Sequence, residues 1–172
     1  WPPLLERPRL DVLGSETREN LEQRRVRIEI AAGQTGAGWL LLPAGRGPFP
    51  AVLVVYYEPE TSVGLNPKQS LRDFGLELAR RGFVTLSLGT PGGNAWKPEL
   101  GGAQCQPLSY HAYVAANAWR ALASLAEVDP GRIGVVGHSY GGKWALFAGA
   151  LWDRFAAVAV SDPGIVWDES RP

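Results

Sequence analysis

The sequence predicts an α/β protein with a doubly wound, mostly parallel sheet that begins with an antiparallel pair of strands. Apolar and polar residues alternate over residues 24–30, as they do in a strand with one buried face. Farther along, continuous apolar runs such as residues 51–57 alternate with amphipathic segments, which is typical of parallel strands covered by helices on both faces. We expect a core over residues 24–172, incomplete at its C-terminal end, and an N-terminal arm over residues 1–23.

The individual elements follow from the same patterns. In the arm, residues 16–23 have the composition of a short helix. The antiparallel pair, residues 24–30 with 39–42, is expected at a sheet edge. In the first predicted helix, Leu71, Phe74 and Leu78 should face the core. The predicted buried strands are 51–57, 83–88, 132–137 and 155–160, and the predicted helices are 67–81, 109–126 and 141–151.

Composition narrows the classes of function. Seventeen basic residues balance seventeen acidic ones, so no net charge would attract the protein to nucleic acid or to an anionic membrane. The longest apolar run, residues 51–57, is too short to cross a bilayer. Cys105 is the only cysteine, so an internal disulfide or a cysteine-based metal site cannot form. We expect a small-molecule or carbohydrate substrate and no metal or organic cofactor.

A catalytic motif stands between a predicted strand and a predicted helix. The run Gly137-His138-Ser139-Tyr140-Gly141 matches G-x-S-x-G, a nucleophile elbow when it has this context. A serine at such a turn is held in a strained conformation with its hydroxyl above the sheet. We therefore predict Ser139 as the nucleophile. The backbone N–H of Tyr140, at the start of the helix, is predicted as one donor to the oxyanion.

On these elements the chain resembles the α/β-hydrolase superfamily from about residue 25 to residue 167, with likeness to its dienelactone-hydrolase and acetyl-esterase members. In that superfamily the second oxyanion donor comes from the loop after the third strand. This chain has Tyr56-Tyr57-Glu58-Pro59 there. The resemblance implies Tyr57 as a donor, through its N–H or its hydroxyl. The alternative is a tyrosine that only caps the strand end.

The run from Ser139 to Lys143, followed by Ala148-Gly149-Ala150, also resembles the elbow of glucuronoyl esterases, although those enzymes have an arginine where this chain has Tyr140. The resemblance implies that Asp162, at the end of the strand after the elbow helix, is the acid of a catalytic triad. Two alternatives stay open. Asp162 either belongs to a turn that ends the strand, or the acid lies farther along the chain, as is more usual in the superfamily.

Two further residues are candidates for substrate binding. Lys143 lies in the first turn of the elbow helix, where a positive charge opposes the helix dipole, so a carboxylate or sugar hydroxyl is its expected partner. Trp96 lies in the loop over residues 89–107, on the ligand-binding side of the sheet, where it would stack on a sugar or an aromatic acyl group. A surface lysine and a packing tryptophan are the alternatives.

The general base is missing from the predicted site. His138 should point away from Ser139, and His111 begins the preceding helix. The superfamily order of serine, acid and histidine places the base after everything seen here. We therefore expect a C-terminal segment of the same protein that supplies the histidine and the missing strands. Without it, residues 155–160 should form an open sheet edge.

These residues predict a serine hydrolase that cleaves a carboxylic ester through an acyl-enzyme intermediate on Ser139. A peptidase or amidase of the prolyl oligopeptidase kind is the alternative enzyme, favoured by Tyr57 and by the N-terminal arm. The alternative outside enzymes is a non-catalytic α/β-hydrolase-like module whose pocket only binds.

Overall fold

A computed structural model describes residues 2–164 of the chain. The strands are β1 (Leu10–Arg18), β2 (Leu21–Ala31), β3 (Gln34–Leu42), β4 (Phe49–Val55), β5 (Val84–Leu88), β6 (Val128–His138) and β7 (Ala157–Ser161). The helices are α1 (Pro59–Ser62), α2 (Phe74–Arg80), α3 (Pro107–Ala123) and α4 (Tyr140–Leu151), with 3-10 helices at Pro67–Arg72 and Pro91–Gly93.

The strands form one sheet in the order β1-β2-β3-β5-β4-β6-β7. Strands β1, β2, β3 and β5 pair antiparallel, whereas β5, β4, β6 and β7 pair parallel. Helices cover both faces of the sheet, as two neighbouring residues of β3 show. Successive residues of a strand point to opposite faces. Leu40 joins a large cluster with Tyr113 and Trp144 of α3 and α4, and Leu41 joins a small cluster with Leu76 of α2. The predicted fold class is therefore confirmed.

The helix predicted over residues 16–23 is wrong. Strand β1 passes through this region and pairs with β2 from Leu10 opposite Ile28 to Arg18 opposite Leu21. The two residues between the strands, Glu19 and Asn20, both have positive φ, at 54° and 65°, which a tight two-residue hairpin requires. The sheet edge on this side is therefore β1, and the predicted antiparallel pair, β2 with β3, lies one strand inside it.

The single helix predicted over residues 67–81 is divided in two. Asn66 caps the 3-10 helix Pro67–Arg72 by accepting from Lys68 N–H, and helix α2 starts only after the non-helical Asp73. The break turns the first part away from the core, so Leu71 is 87% exposed instead of buried. Leu76 and Ala79 supply the inward face of α2.

Strand β7 is the other edge of the sheet. Ala157, Val158 and Ala159 are exposed, and no strand pairs with the outer side of β7 among residues 2–164. The open edge predicted at residues 155–160 is thus present in the described chain. No helix in this part of the chain is both long and apolar enough to span a membrane.

Candidate active site

Ser139 connects the end of β6 to the start of α4 in a strained backbone conformation. Its φ of 55° and ψ of −122° lie outside the regions that L-residues normally adopt. Two hydrogen bonds hold this turn. Ser139 N–H donates to the Ser161 carbonyl at 2.9 Å, and Lys143 N–H donates to the Ser139 carbonyl at 3.2 Å. Strand β7 and helix α4 together therefore fix the serine.

The two glycines of the motif are required by close backbone contacts. A Cβ at Gly137 would lie 1.9 Å from the Gly141 carbonyl oxygen. A Cβ at Gly141 would lie 2.1 Å from the Val55 carbonyl oxygen. Strand β6, helix α4 and strand β4 approach one another so closely that no side chain fits at either position. A nucleophile elbow at Ser139 would require this close approach of strand and helix.

Tyr57 reaches Ser139 across the sheet end. The Tyr57 hydroxyl lies 3.1 Å from Ser139 Oγ, within hydrogen-bond distance. The Tyr57 carbonyl accepts from Thr90 N–H at 3.1 Å, and the Tyr57 ring packs against the Tyr140 ring with centroids 5.9 Å apart. The structure thus brings together the predicted nucleophile and both predicted oxyanion residues.

A polar network that the sequence analysis missed anchors the Tyr57 loop. Thr61 Oγ1 donates to Glu58 Oε1 at 2.5 Å, and Asn66 Nδ2 donates to Thr61 Oγ1 at 3.0 Å. Glu58 directly follows Tyr57, so this network restrains the backbone that carries the tyrosine. The sequence does contain an indication of this network, namely three polar residues spaced closely after the end of β4.

Neither histidine contacts Ser139. His138 points to the other side of the elbow, where its Nδ1 lies 3.0 Å from Ser161 Oγ. Burial and Arg72 lower the pKa of His138, although Asp162 opposes them. His111 is fully buried, with Nδ1 2.6 Å from the Pro107 carbonyl, and burial lowers its pKa. Both side chains are engaged in packing, and their positions agree with the expectation that neither is the base.

Of the remaining predicted site residues, Lys143 contacts Ser139 through its backbone N–H alone, and no hydrogen bond joins Asp162 or Trp96 to Ser139 within residues 2–164. Asp162 follows β7 with a φ of 44° and is exposed, next to the Ser161 carbonyl that holds the nucleophile turn. Lys143 is half-buried in the first turn of α4. Trp96 is 89% exposed, so it packs in no core within residues 2–164. Its loop is ordered by Asn94 Oδ1, which accepts from Trp96 N–H at 3.0 Å.

Comparisons with known proteins match part of the sequence to one family and the fold to several solved structures. The sequence profile of the family Acetyl xylan esterase (AXE1) matches residues 109–166, which contain the elbow. A glucuronoyl esterase from Solibacter usitatus shares the fold with a TM-score of 0.69 at 18% identity, over 90% of this chain and 52% of that one. No curated protein sequence gives a match.

Two acetyl xylan esterases are also structurally similar. The enzyme from Paenibacillus sp. R4 has a TM-score of 0.62 at 24% identity, over 90% of this chain and 52% of that one. Acetyl xylan esterase 1 from Thermoanaerobacterium has a TM-score of 0.62 at 19% identity, over 86% of this chain and 50% of that one. The chain spans about half the length of these solved structures. Its seven-stranded sheet gives the chain the α/β-hydrolase fold that these solved structures share.

Proposed function

We propose that the protein hydrolyses a carboxylic ester with Ser139 as the nucleophile. The observation that carries the proposal is the strained backbone of Ser139 at the start of α4, with its hydroxyl 3.1 Å from the Tyr57 hydroxyl. Such strain persists only where the surrounding structure enforces it, and it concentrates at functional sites. Ester chemistry is supported by the profile match over the elbow and by the printed names of the structural neighbours.

The reaction follows the acyl-enzyme route. Ser139 Oγ loses its proton to a histidine and attacks the ester carbonyl carbon, and the bond to the alcohol then breaks as the histidine returns the proton to the leaving oxygen. Water attacks the acyl-enzyme by the same path and releases the acid. The developing oxyanion accepts hydrogen bonds from Tyr140 N–H at the start of α4 and from the Tyr57 hydroxyl.

The histidine of this scheme comes from a C-terminal segment of the same protein, with Asp162 as the acid that orients it. Two observations support this assignment. Both histidines of the chain are buried and turned away from Ser139 Oγ. The outer side of β7 presents exposed apolar residues, among them Val158, to which a further strand can pair.

The acid assignment has its own test. Asp162→Asn in the full protein should lower kcat by about 10⁴-fold, because an asparagine leaves the histidine in the wrong tautomer. Asp153→Asn, at an exposed position after α4, is the matched control and should keep full activity. Near-normal hydrolysis by Asp162→Asn would show that the triad acid is another residue.

The substrate proposed for this site is a carbohydrate ester. The exposed Trp96 offers an aromatic face for a sugar ring at the ligand-binding end of the sheet. Lys143, half-buried on α4, offers a charged donor for a carboxylate or a hydroxyl. We infer that both residues bind substrate, so Trp96→Ala should raise KM for a sugar ester more than it changes kcat.

Hydrolysis of p-nitrophenyl acetate by the full protein tests the proposed function. Wild type should release p-nitrophenolate, and Ser139→Ala should fall to the background rate. Equal rates in the two proteins would refute ester hydrolysis at Ser139.

A peptidase or amidase is the second candidate, favoured by the Tyr57 hydroxyl beside the nucleophile. The N-terminal arm gives this candidate no support, since Leu5 N–H donates to Asn117 Oδ1 and Arg120 donates to the Leu5 carbonyl, so the arm packs on helix α3 of this domain. A panel of matched peptide esters and amides separates the two activities. Ser139-dependent hydrolysis of the amides would favour the peptidase, whereas an esterase should cleave only the esters.

A further inference from the structure

One side chain of the β1–β2 hairpin reaches the loop that carries Tyr57. Arg18 Nη1 donates to the Val63 carbonyl at 3.1 Å, and Arg18 Nη2 donates to the Gly64 carbonyl at 3.4 Å. Arg18 is paired with Leu21 in the β1–β2 register, so both side chains lie on the same face of the sheet. Leu21 and Val63 belong to one small buried cluster. The guanidinium therefore holds a turn that packs against the core.

The two carbonyls follow the single turn of helix α1. Carbonyls at the end of a helix lack a partner within it, and the fork of an arginine can donate to two of them at once. At Gly64, where φ is 71°, a Cβ would lie 2.8 Å from Leu76 Cδ2 and 3.5 Å from Arg18 Nη2, so a glycine suits this turn. The Arg18 ion pair with Glu19 spans 3.9 Å, because Glu19 lies closer to Arg80, at 2.8 Å from its Nε. The carbonyls are thus closer to the Arg18 guanidinium than this carboxylate is.

Helix α1 connects the turn to Tyr57. The helix begins two residues after Tyr57, at Pro59. Leu65 N–H donates to the Glu60 carbonyl at 2.9 Å, so the turn is hydrogen-bonded back to the helix. The side-chain network of Glu58 ties the start of the helix to the same segment. Because Tyr57 continues directly into this compact unit, a shift of the turn would move the backbone that carries the tyrosine.

We propose that Arg18 is a positioning residue of the candidate active site, which acts through helix α1 to hold the Tyr57 hydroxyl at Ser139. Its role rests on the proposed function, in which this hydroxyl stabilises the oxyanion. The hydroxyl lies 3.1 Å from Ser139 Oγ, and a displacement of about 1 Å at a reacting group costs on the order of 10²-fold in rate. The N-terminal hairpin is therefore part of the framework of the site.

The test is a double-mutant cycle on p-nitrophenyl acetate hydrolysis by the full protein. Arg18→Met should lower kcat about tenfold with little change in KM, because it displaces a group used in the transition state. Arg18→Lys should recover most of this loss, since an ammonium can donate to the same carbonyls. In the Tyr57→Phe background, Arg18→Met should lower kcat by less than about twofold further, because the hydroxyl that Arg18 positions is absent.

Arg80→Met is the matched control. Arg80 contacts the same hairpin through Glu19 but makes no hydrogen bond to residues 57–66, so its loss should leave kcat unchanged. A second measurement is independent of catalysis. Hydrogen exchange followed by NMR should show the Gly64 and Leu65 amides exchanging about tenfold faster in Arg18→Met than in Arg80→Met, because the turn has lost its anchor. Thermal unfolding verifies that the compared variants are folded.

Unchanged kcat in Arg18→Met would overturn the positioning role, as would a loss that multiplies in full with that of Tyr57→Phe. A wild-type protein without Ser139-dependent hydrolysis would instead refute the proposed function. Hydrogen exchange then decides whether Arg18 holds the loop: equal exchange in the two arginine variants would overturn this, and faster exchange in Arg18→Met would support it. The two failures are therefore distinguishable.

Discussion

The contact between Gly141 and strand β4 provides a sharp test of the elbow. In Gly141→Ala the new methyl group would lie 2.1 Å from the Val55 carbonyl oxygen, whereas ordinary contacts begin at 3.4 Å, so the two must separate by about 1.3 Å. Val55 cannot retreat, because it is fully buried in a strand that pairs with Leu88 on one side and Gly137 on the other. The start of helix α4 must therefore move away from the sheet.

This movement displaces Ser139 from the Tyr57 hydroxyl. A displacement of about 1 Å at a reacting group costs on the order of 10²-fold in rate, and overpacking costs about 1–3 kcal/mol of stability. We expect both losses in Gly141→Ala, measured by ester hydrolysis and by urea unfolding of the full protein. Gly14→Ala on β1 is the control, since its methyl group meets nothing within 4 Å and should change the free energy of unfolding by less than about 0.5 kcal/mol. A Gly141→Ala protein as stable and active as this control would show that the contact with Val55 does not position Ser139.

Three further predictions follow from the same region. Tyr57→Phe should lower kcat by about 10²-fold or more with little change in KM, since it removes a donor used in the transition state, and unchanged kinetics would leave Tyr57 without that role. Trp144→Ala should lower the free energy of unfolding by about 3–5 kcal/mol, because Trp144 is fully buried and donates to the His111 carbonyl; a loss in urea unfolding below about 1 kcal/mol would contradict this. Burial lowers the pKa of His111, so below about pH 6.5 the unfolded state binds more protons than the folded state. The free energy of unfolding should therefore be highest above about pH 6.5 and should fall as the pH drops below that value. His111→Gln should reduce this slope in urea unfolding measured from pH 8 to pH 5, and an unaltered slope would show that His111 does not cause it.

Local patterns were sufficient for the parallel half of the fold. The buried stretches of β4, β5 and β6, at residues 51–55, 84–88 and 133–137, consist mainly of apolar or small residues and could be recognised without knowledge of their partners. Strand β1 escaped prediction because its residues are mostly exposed, and only pairing with β2 makes it a strand. The break before α2 depends on the cap at Asn66 and the non-helical Asp73, which the apolar spacing of residues 67–81 concealed.

In the candidate site, too, some features could be predicted from local sequence and others depend on contacts between distant residues. The elbow at Ser139 was predictable because its motif occupies five consecutive residues between a recognisable strand and helix, although Val55 and Ser161 also restrain it. The Tyr57 contact with Ser139 spans 82 positions in sequence, and the superfamily resemblance pointed to the residue without fixing which group would reach the serine. The Glu58 network lies within residues 58–66, so its polar residues were visible in the sequence, but which of their atoms pair depends on how this loop folds.

Covalent labelling tests whether Ser139 is an activated nucleophile. The full protein is incubated with a fluorophosphonate, digested, and mapped by mass spectrometry, with Ser139→Ala as the control. We predict one phosphonylated site, Ser139, and no label in the variant, because only a serine with a base and an oxyanion hole reacts rapidly. An unlabelled wild-type protein, or a label that persists in Ser139→Ala, would contradict it.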